Sequence, residues 1–196
     1  MLEYFLTIQF KCLNLIGFYR PGFIKHPKIF RAIHCSNIFC CIFSLFGEGN
    51  FVIKNYQDVV TASEASAPFL IVIITMLKLI FFYRLKDDLF QSFDELKALI
   101  TYAKLRNPKI MNLVSKVDKL SASVYTVACI AAGLTYVLAP ALGNLINFVL
   151  VTGDYNYEMP MKSSFPYNDS LSPAYEFTYA MFGYGTYLAV LSNVST

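Results

Sequence analysis

The sequence predicts an all-α, polytopic membrane protein: a bundle of apolar helices with a cytoplasmic N-terminus. Three observations carry that prediction. Hydrophobic residues make up 56% of the 196 residues and charged residues only 15%. Soluble domains run at about 45–50% and about 25%. The apolar residues are also gathered into runs, since Val124–Val151 carries no charge and Phe69–Tyr83 carries only Lys78. A run of about 18 or more apolar residues can cross a hydrocarbon core ~30 Å thick. Finally, the bases segregate. Of the 16 lysines and arginines, 13 fall within Met1–Cys35 and Arg84–Lys119, whereas Gly47–Ala67 holds only Lys54 and Thr152–Glu176 only Lys162. The positive-inside rule puts the two basic segments in the cytoplasm.

Residues 1–28 read as cytoplasmic and interfacial. Leu2, Phe5, Leu6, Leu13 and Ile16 can share one helical face, while Glu3, Gln9, Lys11 and Asn14 interrupt the run. An in-plane helix on the inner leaflet suits that pattern better than a crossing. Pro21, Gly22 and Pro27 then break it. Glu3 precedes any base, and no small-residue site stands ahead of the basic cluster, which is not the pattern of a cleavable signal peptide.

The first span is expected over 29–56, centred on the apolar Ile38–Phe46. Glu48, near its outer end, reads either as an interfacial residue or as one lining an interior face, because intramembrane acids rarely face lipid. The second span is expected over 66–83, with Lys78 snorkelling toward the inner boundary. Residues 84–123 form a cytoplasmic helical segment. There Leu85, Leu89, Phe93, Leu96, Leu99 and Ile100 recur at helical spacing, a stripe that needs a covering partner. Asn107-Pro108 ends this helix. The third span, 124–151, is longer than a perpendicular crossing, so tilt or a bend at Pro140 accommodates it. Ala131, Ala132 and Gly133 allow a close helix approach.

Residues 152–173 form an outer loop. Pro160, Pro166 and Pro173, several aromatic residues and the sequon Asn168-Asp169-Ser170 mark it as ordered and non-cytoplasmic, with Asn168 as the glycosylation candidate. Asn193-Val194-Ser195 also matches but lies inside the fourth span. That span is expected over 174–196 and is still apolar at Thr196, so the sequence reads as an incomplete, N-terminal part of a longer protein.

The chain carries no constellation for catalysis. It lacks a phosphate loop, G-x-S-x-G, H-E-x-x-H and any acidic pair within a span. It therefore does not read as an enzyme, with no catalytic residues and no cofactor. Cys12, Cys35, Cys40, Cys41 and Cys129 all fall outside the predicted outer loops, which argues against an extracellular disulfide framework. His34-Cys35 with Cys40-Cys41 matches no metal spacing. The basic segments are interleaved with Asp87, Asp88, Asp94, Glu95 and Asp118 and carry no stacking motif, so nucleic acid is not an expected partner.

An apolar pocket with a few polar groups suits a small hydrophobic ligand. The outer halves of the spans offer Phe69, Ile73 and Met76 on the second, Tyr136 on the third, and Tyr179, Phe182 and Tyr187 on the fourth. Each is a zone-level ligand-binding candidate, and helix packing or lipid contact is the alternative role for each.

Three features together resemble the insect odorant receptors. They are F-K-x-L-x-L-I-G-F-Y-R-P over Phe10–Pro21, the lysine partition, and the loop pattern P-x-K-S-x-x-P-Y (Pro160–Tyr167) followed by S-P-x-Y-x-x-T-Y (Ser172–Tyr179). The resemblance implies a seven-helix subunit, of which four spans would be present. It implies assembly with an olfactory co-receptor into an odorant-gated cation channel in the plasma membrane of olfactory sensory neurons. It also implies a ligand pocket in the outer half of the bundle and a pore lined by helix seven, so the present chain is not expected to conduct alone. A gustatory receptor shares the orientation, and a transporter or membrane scaffold needs only the spans. The S-P-x-Y-x-x-T-Y element favours the odorant branch, and the scarcity of midplane charge disfavours a transporter.

Overall fold

The computed structural model describes residues 11–18, 27–151, 159–169 and 171–195. All regular structure among these residues is helical. Residues 11–15 are the described part of α1. Then follow α2 (Pro27–Lys54), α3 (Val59–Arg84), α4 (Lys86–Arg106), α5 (Pro108–Ile146, closing in a π-helical turn over Asn147–Val151) and α6 (Ala174–Val194). Three helical stretches are long and apolar enough to cross a membrane: Lys28–Lys54, Val59–Arg84 and Pro108–Leu150. The fourth expected span falls on α6, whose tyrosines, threonines and asparagine make it less apolar.

Local chemistry sets the boundaries. After α1 the chain turns at Gly17, whose φ of +96° favours glycine. A Cβ there would also stand 3.0 Å from the Phe30 carbonyl oxygen. Asp58 caps α3, with Oδ1 accepting from the Val60 and Thr61 amides at 3.2 and 3.3 Å and Oδ2 from the Thr61 hydroxyl at 2.6 Å. The Thr61 hydroxyl is the largest cause holding the exposed Asp58 carboxyl below its ordinary pKa. Asn107 separates α4 from α5, and Pro108 sits in the first turn of α5, where its missing amide costs nothing.

Helices α2, α3 and α6 form the packed centre, with α5 laid against α6. One core cluster joins Leu13, Ile16 and Phe18 of the N-terminal segment to Cys41, Leu79 and Leu188. Leu2, Phe5 and Leu6 lie outside the described residues. A second cluster, at the other end, packs Met161 and Phe165 of the loop on Phe182, with Phe43 beside them. That loop end is where the site lies.

Helix α4 is mostly exposed. Phe90 is buried and Phe93 half-buried, but Leu99 of the amphipathic stripe remains 66% exposed. Lys78 differs from its expected snorkelling. Its ammonium donates to Asn193 Oδ1 at 2.9 Å, because α6 passes within reach and offers an acceptor inside the bundle.

Candidate functional site

The loop end is built from the residues between the spans. Ser164 donates its amide to the Gly47 carbonyl at 2.9 Å, and Lys54 Nζ donates to Ser164 Oγ at 2.7 Å. Lys162 pairs with Glu64 on α3. These contacts tie the loop to both α2 and α3. Phe165 then lies over Gly47, where a Cβ would stand only 2.3 Å from its ring. Stacking with Phe43 at 4.7 Å and with Tyr167 at 5.1 Å extends the aromatic layer. Tyr167 also shares a 2.8 Å hydrogen bond with the buried Thr178 of α6.

Helices α3, α5 and α6 border a cavity of about 230 Å³, open on one side. Pro68 and Val72 form its α3 wall, Gly133 and Tyr136 its α5 wall and Thr186 its α6 wall, while Met161 reaches in from the loop. The volume is below the roughly 300–1,000 Å³ of drug-sized sites. It suits a smaller, largely apolar molecule; Tyr136 carries a hydroxyl on its α5 wall, whereas the Thr186 hydroxyl donates to the Phe182 carbonyl at 3.0 Å. Across the α5–α6 contact lies a second groove of about 470 Å³, bordered by Leu134, Val137 and Tyr187. Gly133 creates that contact: a Cβ on it would stand 2.6 Å from Val190, so only glycine permits the approach.

The sequence-derived candidates distribute around these spaces. Tyr136 lines the cavity and Tyr187 the neighbouring groove. Phe69 faces Gly49 of α2, at 3.4 Å from the position of its Cβ. Ile73 is half-buried on α3, and Met76 packs on the core cluster. Tyr179 donates its hydroxyl to the Val137 carbonyl, joining α6 to α5. Phe182 is fully buried against Phe165. Asn168 is exposed on the loop, whereas Asn193 of the other sequon is bonded within the bundle. The structure adds Pro68, Val72, Met161, Gly185 and Thr186 as liners. Their signal in the sequence is smallness at Gly133 and Gly185, which opens space between helices without naming its occupant.

The apolar helices define a membrane-integral helical bundle, and the half-open cavity leaves room for a small molecule. Residues 58–196 match the family described as the 7tm odorant receptors. The chain belongs to the odorant receptor family, which is not an enzyme family. A comparison with curated proteins finds no match.

Proposed function

We propose that this chain is an odorant receptor subunit that binds small, volatile, hydrophobic ligands in the cavity between α3, α5 and α6. The observation that carries the reading is the cavity itself. It is apolar, smaller than a drug site, reached by Met161 of the loop, and bordered by Tyr136, a tyrosine of α5. In this reading the loop end faces outward and the N-terminus and α4 lie in the cytoplasm, as the lysine partition requires. Asn168 then carries a glycan. The subunit acts with a co-receptor in a ligand-gated cation channel of the sensory-neuron plasma membrane, and helices other than these supply the pore.

Expression of the receptor with its co-receptor and a recording of current during a panel of volatiles tests the function. An odorant-evoked cation current is expected. Silence across a broad panel, despite surface expression, would count against it. Loss of an endoglycosidase-sensitive mass shift in Asn168→Gln tests the orientation. Labelling of an N-terminal tag on intact cells would overturn it.

A further inference from the structure

Between Glu95 and Asp118 the chain carries Lys97, Lys104, Arg106, Lys109 and Lys116 and no acid. This stretch is the tip of a helical hairpin, the end of α4 and the start of α5. Phe93, nearer the bundle, packs on the main core cluster. From Leu96 to Arg106 no residue is buried. Leu99, Tyr102 and Leu105 are 66%, 63% and 81% exposed. They follow at three-residue steps, on the side of α4 away from Lys97 and Lys104. Ile110 and Leu113, at the start of α5, are exposed as well. A basic helix with large apolar side chains on its other side suits a membrane surface or an apolar groove in an acidic protein.

Height decides between the two. Helix α5 runs unbroken from Pro108 to Ile146, and its charge-free crossing begins at Val124. The stretch 108–123, about 16 residues at ~1.5 Å each, sets Pro108 roughly 24 Å beyond the crossing. A tilt near the average of about 20° shortens that only slightly. The potential of an anionic leaflet fades within a Debye length, about 8 Å at physiological salt. The tip therefore stands clear of the headgroups. A second copy is disfavoured too, because two such tips face to face set bases against bases.

We propose that the α4–α5 tip is a docking site for an acidic cytoplasmic calcium sensor. Leu99, Tyr102 and Leu105 enter the apolar groove that calcium opens in such a protein. Acids at the rim of the groove pair with Lys104, Arg106 and Lys109. The proposal rests on the cytoplasmic placement of α4 and on nothing in the cavity.

The test is binding of calmodulin, as the probe, to the chain in phosphatidylcholine nanodiscs, where both faces are accessible, with calcium and with EGTA. Calcium-dependent binding is expected. Leu105→Asp should weaken it by about tenfold or more, as loss of an interface anchor does. At a position so exposed the fold is retained, and an unchanged thermal unfolding curve checks that. Lys104→Glu combined with Arg106→Glu should slow association and remove most of its salt dependence. No binding to wild type, or equal binding in calcium and EGTA, overturns the assignment. So does wild-type affinity in both variants, because calmodulin would then be held elsewhere. Added phosphatidylserine should leave binding in place, and its abolition would show that the leaflet covers the tip instead. If calmodulin binds yet an N-terminal tag is labelled on intact cells, the placement falls and the proposal with it. If the tag is protected and calmodulin does not bind, the proposal falls alone.

Discussion

Helices α5 and α6 pack against each other and obey opposite rules. The apolar crossing within Pro108–Leu150 has almost none of its surface buried inside the protein. Helix α6 is less apolar, yet Tyr175, Thr178, Phe182, Thr186 and Ser192 are all buried on it. In a soluble domain the apolar helix would be the hidden one. In a bilayer the lipid is as apolar as leucine, so an exposed Leu or Val is at no disadvantage. What the bundle centre selects instead is small residues and side chains that find partners. Helix α6 finds them on every side: Tyr184 donates to Asn37 Oδ1 at 2.6 Å, Tyr175 accepts from Asn144 at 3.1 Å, and its Met181 carbonyl accepts from Cys40 Sγ at 3.3 Å.

Substitutions can break or sharpen this contrast, and thermal or detergent unfolding of the purified chain would read the first four. The largest effect is expected from Phe182→Ala, which removes a fully buried ring under the loop and should cost about 3–5 kcal/mol. Gly133→Leu comes next. It forces α5 from α6 at Val190 and should cost about 1–3 kcal/mol, with more harm than the same change at Gly143, which has open space around it. Tyr184→Phe removes one interhelical hydrogen bond and should cost about 0.6 kcal/mol, rising toward about 1.7 at most. Val127→Leu, at a position 65% exposed on α5, should stay within about 0.5 kcal/mol. A large penalty at Val127 would show that α5 is covered on that face and end the comparison.

The smallest effect concerns Asp58, outside both helices. Its folded pKa is depressed, so its contribution is present above the ordinary value of 3.8 and is lost as pH falls through the folded pKa. Asp58→Asn should flatten the acid limb of a stability-against-pH curve slightly. An unchanged acid limb would remove Asp58 from the account.

Much of the helical architecture was legible because long charge-free runs and paired breakers are local signals. Val124–Val151 announces a crossing by composition, and Asn107-Pro108 announces a boundary by backbone chemistry. Gly133 announced a close approach, although not that Val190 would meet it. Individual liners were less accessible. Tyr136 of α5, on the cavity, and Phe69 of α3, against Gly49 of α2, are both aromatic residues in the same zone, and only the rotation of each helix distinguishes them. The partner of Lys78 was equally hidden, because Asn193 is 115 positions away and their meeting depends on how α3 and α6 are juxtaposed. Glu48 could be read as interfacial or interior from the sequence, and its full burial on α2 depends on how the helices pack.

The Asn37 side chain has a consequence for motion. Its amide nitrogen donates to the Ile16 carbonyl at 2.8 Å while its oxygen accepts from Tyr184. One side chain therefore couples the turn before Gly17 to the middle of α6. A rotation of α6 that carries Tyr184 away strips Asn37 of one of its two anchors. The N-terminal segment and the helix that borders the cavity thus share one side chain, and a spectroscopic label near residue 14 would test whether a change at Tyr184 reaches it.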